Sequence, residues 1–145
     1  MSLFFVGWVV GGFLLGLASI ALARRLELER EILSGALVLL GVWYLGFGIY
    51  DGRSAAELLP QILGGLFFAS CGVLGLRVSP VFAAVGWTLH AGWDFLSPAL
   101  WDVSYMPSWT APACLGYDVL LGTHLFRLWR RDADDAIAPA SSASA

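Results

Sequence analysis

The stretch "GWTLHAGWDF", residues 86–95, sits inside a longer apolar run, residues 81–97, and decides how the chain is read. His90 and Asp94 are four residues apart, which on a helix places them on one face within reach of each other. Trp87 lies one turn before His90 on the same side, while Trp93 points elsewhere. A histidine and an aspartate in such surroundings are costly if they face hydrocarbon, so the rest of the chain must show what solvent this helix meets.

Composition answers that. Of 145 residues, 59% are hydrophobic and 13% charged, and the mean hydropathy is +0.77. A soluble domain carries about 25% charged residues, so half of the usual solubilising surface is missing. The 17 glycines and 7 tryptophans agree, because small residues let membrane helices approach and tryptophans anchor at interfaces. All eight cations are arginines, and none forms the basic face that a nucleic-acid partner needs. The composition is that of an integral membrane protein, with the lipid bilayer as its first partner.

At roughly 20 apolar residues per crossing, the chain is expected to form five transmembrane helices. They span about 2–23, 32–50, 57–76, 81–97 and 111–129. The first segment lacks a positively charged leader and is too long for a signal-peptide core, so it is read as a true span. The second stops at the turn-like "DGRS" (residues 51–54), and the fourth at "SP" (residues 97–98). Residues 132–145, small, polar and broken by proline, read as a disordered tail beyond a single domain of residues 1–131. Arginine placement orients the bundle: seven arginines (24, 25, 30, 77, 127, 130 and 131) fall on one set of ends and only Arg53 on the other. The positive-inside rule then puts the N-terminus outside and the C-terminus in the cytoplasm. The expected location is the inner (plasma) membrane of a bacterium, as a multi-pass protein. The alternative is a four-span chain in which the fourth segment is re-entrant.

In the first span, Gly7 with Gly11 and Gly12 with Gly16 form two small-xxx-small pairs. They are expected to serve packing within the bundle, with homo-oligomer contact as the alternative. Cys71 and Cys114 fall at different depths and are expected to be free thiols.

The ionisable residues carry the functional reading. His90, Asp94 and Asp118 lie in two adjacent spans, and intramembrane charges normally turn inward and find partners, because each costs about 2.5–3.5 kcal/mol on insertion scales. On the fifth span Cys114 and Asp118 share one face, and Tyr117 and His124 another beside it. The site expected from these positions opens toward the outer half of the membrane. His90, Asp94 and Asp118 form its acid–base centre, and Trp87, Tyr44, Tyr117, His124 and Trp109 line it for a small apolar or lipid-like ligand. The alternatives are a proton-coupled or small-solute transporter, and an accessory subunit in which the polar groups only pin helices together. A metal site on His90, Asp94 and Asp118, with His124, is the less favoured reading, because neither H-x-x-x-H nor H-E-x-x-H spacing is present; no metal or cofactor is expected. Cys114 reads as a small buried hydrophobe. The loop 97–112 is expected to join the interfacial aromatic belt, with an aromatic lid over the pocket as the alternative.

Residues 86–122 show W-x-x-H-x-x-W-D (Trp87, His90, Trp93, Asp94), then P-x-W (Pro107, Trp109), then C-x-x-Y-D (Cys114, Tyr117, Asp118). This resembles a family of small bacterial integral membrane proteins to which no activity is assigned. The resemblance implies that these residues act as one unit. That family's pattern has a histidine pair soon after the aspartate, where this chain has Ser97 and Pro98. A helix carrying histidine and an acid four residues apart is also similar in logic to the emopamil-binding sterol isomerases, which use a glutamate on a longer chain.

Overall fold

The structure, a computed structural model, describes residues 2–137. Among these residues the chain forms five helices: α1 (Leu3–Arg25), α2 (Glu29–Tyr50), α3 (Ala55–Arg77), α4 (Pro80–Leu100) and α5 (Thr110–Ile137). Three of them, α1 to α3, are long and apolar enough to cross a membrane. By the same measure α4 and α5 do not reach that composition, diluted by the polar residues they carry.

Local sequence sets the helix starts. Ser2 Oγ accepts from the Phe5 backbone N–H, Ser54 and Glu57 form a reciprocal capping box, and Ser79 caps α4 just ahead of Pro80. Gly52 makes the α2–α3 turn at φ 75°, a left-handed conformation that glycine adopts without steric cost. Two helix ends differ from the sequence expectation. α4 continues through Ser97 and Pro98 to Leu100, because a proline in the last turn removes only the bond to the carbonyl one turn earlier. α5 continues to Ile137, so residues 132–137 of the segment read as tail extend the helix, and residues 138–145 lie outside the described residues. "DADDAI" has no helix breaker, and helix propensity carries the chain past the point where apolarity ends.

The packing order is α1 on α5, α5 on α4, α4 on α3 and α3 on α2, with lighter contacts of α2 to α1, α4 and α5. Glycines set the closest approaches. A Cβ at Gly12 would overlap the Ala113 carbonyl, and one at Gly116 would overlap that of Val9, so α1 and α5 meet backbone to backbone. Gly41 and Gly65 do the same for α2 and α3. The Gly12–Gly16 pair is thus spent inside the bundle, whereas a Cβ at Gly7 or Gly11 would meet nothing within 4 Å among the described residues.

The bundle's surface is apolar, and a few polar side chains are buried within an otherwise apolar core. Leu14, Leu15, Leu39, Leu63, Leu66 and Leu96 are each more than half exposed, while His90, Asp94, Ser97, Gln61 and Asp118 are buried. α4 shows the pattern most clearly. Its buried stripe runs Ala83, Ala84, Trp87, His90, Ala91, Asp94 and Ser97 at helical spacing, and its exposed face is Phe82, Val85, Leu89, Phe95 and Leu96.

The two ends of the bundle differ in charge. At one end Arg24 pairs with Glu29 at 3.4 Å and Arg30 Nε donates to the Gly75 carbonyl at 2.7 Å. At the other, Arg53 bonds Asp51 at 2.9 Å and Asp102 at 2.8 Å and lies over the Tyr105 ring.

Candidate functional site

Two helices supply the site by the same device. His90 and Asp94 lie one turn apart on α4, and Cys114 and Asp118 lie one turn apart on α5. Each pair therefore points from a single face. α4 and α5 pack directly against each other, and the two faces meet. One donor atom from each of the four side chains lies within 4.8 Å of those from the other three.

His90 Nδ1 is 2.8 Å from Asp118 Oδ2 and 3.9 Å from Asp94 Oδ2. Asp94 accepts a hydrogen bond from the Tyr44 hydroxyl, reaching across from α2. Phe68 and Tyr44 wall the imidazole, their ring centroids at 4.8 and 5.6 Å. Three of the four are buried, with relative exposure 1% for His90, 3% for Asp94 and 0% for Asp118, and Cys114 is half-buried. Yet Asp118 Oδ1 and Asp94 Oδ2 find no hydrogen-bond partner among the described residues. A buried carboxylate oxygen without a donor is expensive, and native structures contain few.

The expected i to i+4 bond within α4 is thus not the main one. His90 prefers the aspartate of the neighbouring helix, because cross-helix packing brings Asp118 closer than the helix rise brings Asp94. Of the other residues expected at the site, Tyr44 joins the cluster through its hydroxyl. Trp87 and Tyr117 pack edge to face beside it, with Trp87 Nε1 donating to the Leu33 carbonyl at 3.0 Å and the Tyr117 hydroxyl to Ser19 Oγ at 3.2 Å. These two tie the helices rather than face the carboxylates. Trp109 stacks on Trp8 of α1, away from the cluster, at a centroid distance of 5.3 Å. His124 lies at the arginine-rich end, hydrogen-bonded to Glu29, and does not join the cluster expected to hold it. Six residues of α5, about 9 Å along the helix, separate it from Asp118 and carry it to another pocket.

Cys114, expected as a small buried hydrophobe, is half-buried and joins His90 and the two carboxylates. The signal was present: C-x-x-x-D on α5 repeats the spacing of H-x-x-x-D on α4. It forms no disulfide, and Cys71 is also free.

Above Asp94 lies a cavity of about 170 Å³, with Tyr44, Asp94 and Ser97 toward the cluster and Val103, Met106 and Pro107 from the loop. Pro107 also borders a larger open groove of about 580 Å³ against Trp43, Phe47 and Tyr50. The loop borders both spaces, and Trp101 and Trp109 pack on Trp93 and Trp8. Outside the helices, Asp102 accepts from the Ser104 backbone N–H at 2.9 Å, and this bond, the Ser104 hydroxyl and Arg53 hold its carboxyl down to about 2.

Compared with protein-family models, curated proteins and solved structures, the chain matches none.

Proposed function

We propose that the chain is a multi-pass membrane protein in which all five helices cross the bilayer, with the N-terminus outside and the arginine-rich end in the cytoplasm of a bacterium. The surface of exposed leucines, valines and phenylalanines supports it, since such a surface suits hydrocarbon and aggregates in water. The clustering of Arg24, Arg127 and Arg131 around one small cavity supports the orientation. A test is a single cysteine at residue 104, introduced by Ser104→Cys in a chain lacking Cys71 and Cys114. A membrane-impermeant maleimide labels it in intact spheroplasts if the loop is outside, and labels it only after lysis if the orientation is reversed.

Within that frame the cluster of His90, Asp94 and Asp118 binds a small apolar or amphipathic molecule, or acts on it by acid–base chemistry. The observation that carries this reading is the pair of orphaned carboxylate oxygens on Asp118 and Asp94, with Asp94 set under a cavity that reaches the loop. A network built only to hold helices together would satisfy its acceptors. In chemical terms, the proton between His90 Nδ1 and Asp118 can pass toward a guest seated at Asp94, with Tyr44 holding Asp94 in place. The roof of Val103, Met106 and Pro107 suits an apolar guest. The test is mass spectrometry of small molecules that co-purify in mild detergent. Wild type is expected to carry a bound species that Asp94→Asn loses while keeping its melting temperature. Equal loads in both proteins would return the cluster to a packing role.

A further inference from the structure

We propose that His90, Asp94, Cys114 and Asp118 form a binding site for a transition-metal dication, with zinc the best fit. The proposal rests on the reading of this cluster as a site rather than as helix glue, and it goes beyond that reading by naming what the site holds. The sequence alone argued against a metal because it lacks H-x-x-x-H spacing. The structure replaces that spacing with two i, i+4 pairs on adjacent helices, the arrangement by which helical bundles build metal centres from facing side chains.

Three observations converge. The first is proximity: all four donor atoms lie within 4.8 Å of one another. A tetrahedral zinc ion with bonds of about 2.0–2.3 Å sets its donors about 3.3–3.8 Å apart. The cluster therefore needs adjustments of about an ångström to take the ion. The second is the pair of unpartnered oxygens. Asp118 is fully buried with Oδ1 unbonded, and Asp94 likewise presents an unbonded Oδ2. A cation supplies what both lack. The third is charge and donor type. Two carboxylates offset a dication, and the Cys114 thiol, which ligates as the thiolate, releases its proton on binding, so the filled site carries one net negative charge in place of the two carboxylate charges. Imidazole and sulfur select zinc, iron or cobalt over magnesium and calcium, which take oxygen donors. Tyr44 then acts as the outer partner that orients Asp94, and Cys114 gains a role that packing alone does not give it.

The experiment is cobalt titration of untagged, chelator-stripped protein in detergent, followed by absorption spectroscopy, then displacement by zinc. Wild type is expected to bind about one cobalt per chain, with tetrahedral d–d bands and a sulfur-to-cobalt charge-transfer band. Cys114→Ser, close to isosteric, should keep d–d bands and lose the charge-transfer band. Tyr44→Phe should keep both and weaken binding about 10–100-fold, as the loss of an outer-sphere partner does. Asp118→Asn should abolish binding. Wild-type protein that shows no tetrahedral cobalt spectrum overturns the proposal, and so does a charge-transfer band that survives Cys114→Ser. The outcome is separable from the small-molecule reading. A protein without cobalt binding that still loses its co-purified ligand on Asp94→Asn refutes the metal alone, and the converse result refutes the ligand alone.

Discussion

The bundle holds two histidine–carboxylate pairs, and they sit in opposite surroundings. His90 and Asp118 have side chains 2% and 0% exposed, packed among Phe68, Tyr44 and Cys114. His124 and Glu29 are 11% and 26% exposed, and Arg24 shares the same glutamate. The same chemical pair therefore does different work. At the arginine-rich end, water and a neighbouring cation share the charge, and the pair adds little to stability. At the buried cluster the side chains of the group and the Tyr44 hydroxyl share it. Buried charge is retained against a desolvation cost, and that cost is the reason to seek a function there.

The comparison can be broken first at its strongest point. His90→Ala should destabilise the detergent-solubilised protein by about 3–5 kcal/mol, because it leaves Asp118 buried without its donor. Replacing both partners, His90→Leu with Asp118→Leu, should return most of that loss, since an apolar pair of similar volume avoids the desolvation cost. Denaturant titration of the three proteins decides it. If the double variant is as unstable as the single, the pair is a structural bond and the contrast between the two ends fails.

Tyr44→Phe is expected to have the next largest effect, a loss of about 1.5–3 kcal/mol, since it removes a hydrogen bond to a buried carboxylate and leaves both Asp94 oxygens without a donor. His124→Ala, the counterpart at the part-buried pair, should cost less, about 1 kcal/mol, and less again in high salt. A larger effect would mean that the two pairs are more alike than their exposure suggests.

The smallest effect belongs to the loop between α4 and α5. The carboxyl of Asp102 is lowered to about 2 from an ordinary value of 3.8, so it binds fewer protons in the folded state than in the unfolded one. Its contribution is complete above about pH 4 and fades as pH falls through about 2. Asp102→Asn should flatten that part of the pH–stability profile. Unlike the buried cluster, this loop network is open to solvent and to salt screening.

Much of the architecture is legible in composition and patterning. Helix number and approximate bounds follow from the apolar runs, and orientation is argued from the arginines, because both properties accumulate over many residues of the same kind. The glycines of α1 announce close packing, yet only the fold assigns Gly12 and Gly16 to α5 and leaves Gly7 and Gly11 open.

The site is where sequence and fold divide most sharply. Spacing on one helix is local, so the shared faces of His90 with Asp94, and of Cys114 with Asp118, are determined by the chain alone. Which partner each side chain takes depends on how α4 and α5 are rotated against each other, and on α2 bringing Tyr44 across. Only tertiary packing decides that His90 turns to Asp118, that Cys114 completes the group, and that His124 leaves it. The physical reason is reach: a hydrogen bond or a ligand set is fixed within a few tenths of an ångström, while a sequence pattern fixes only which face of a helix a residue occupies.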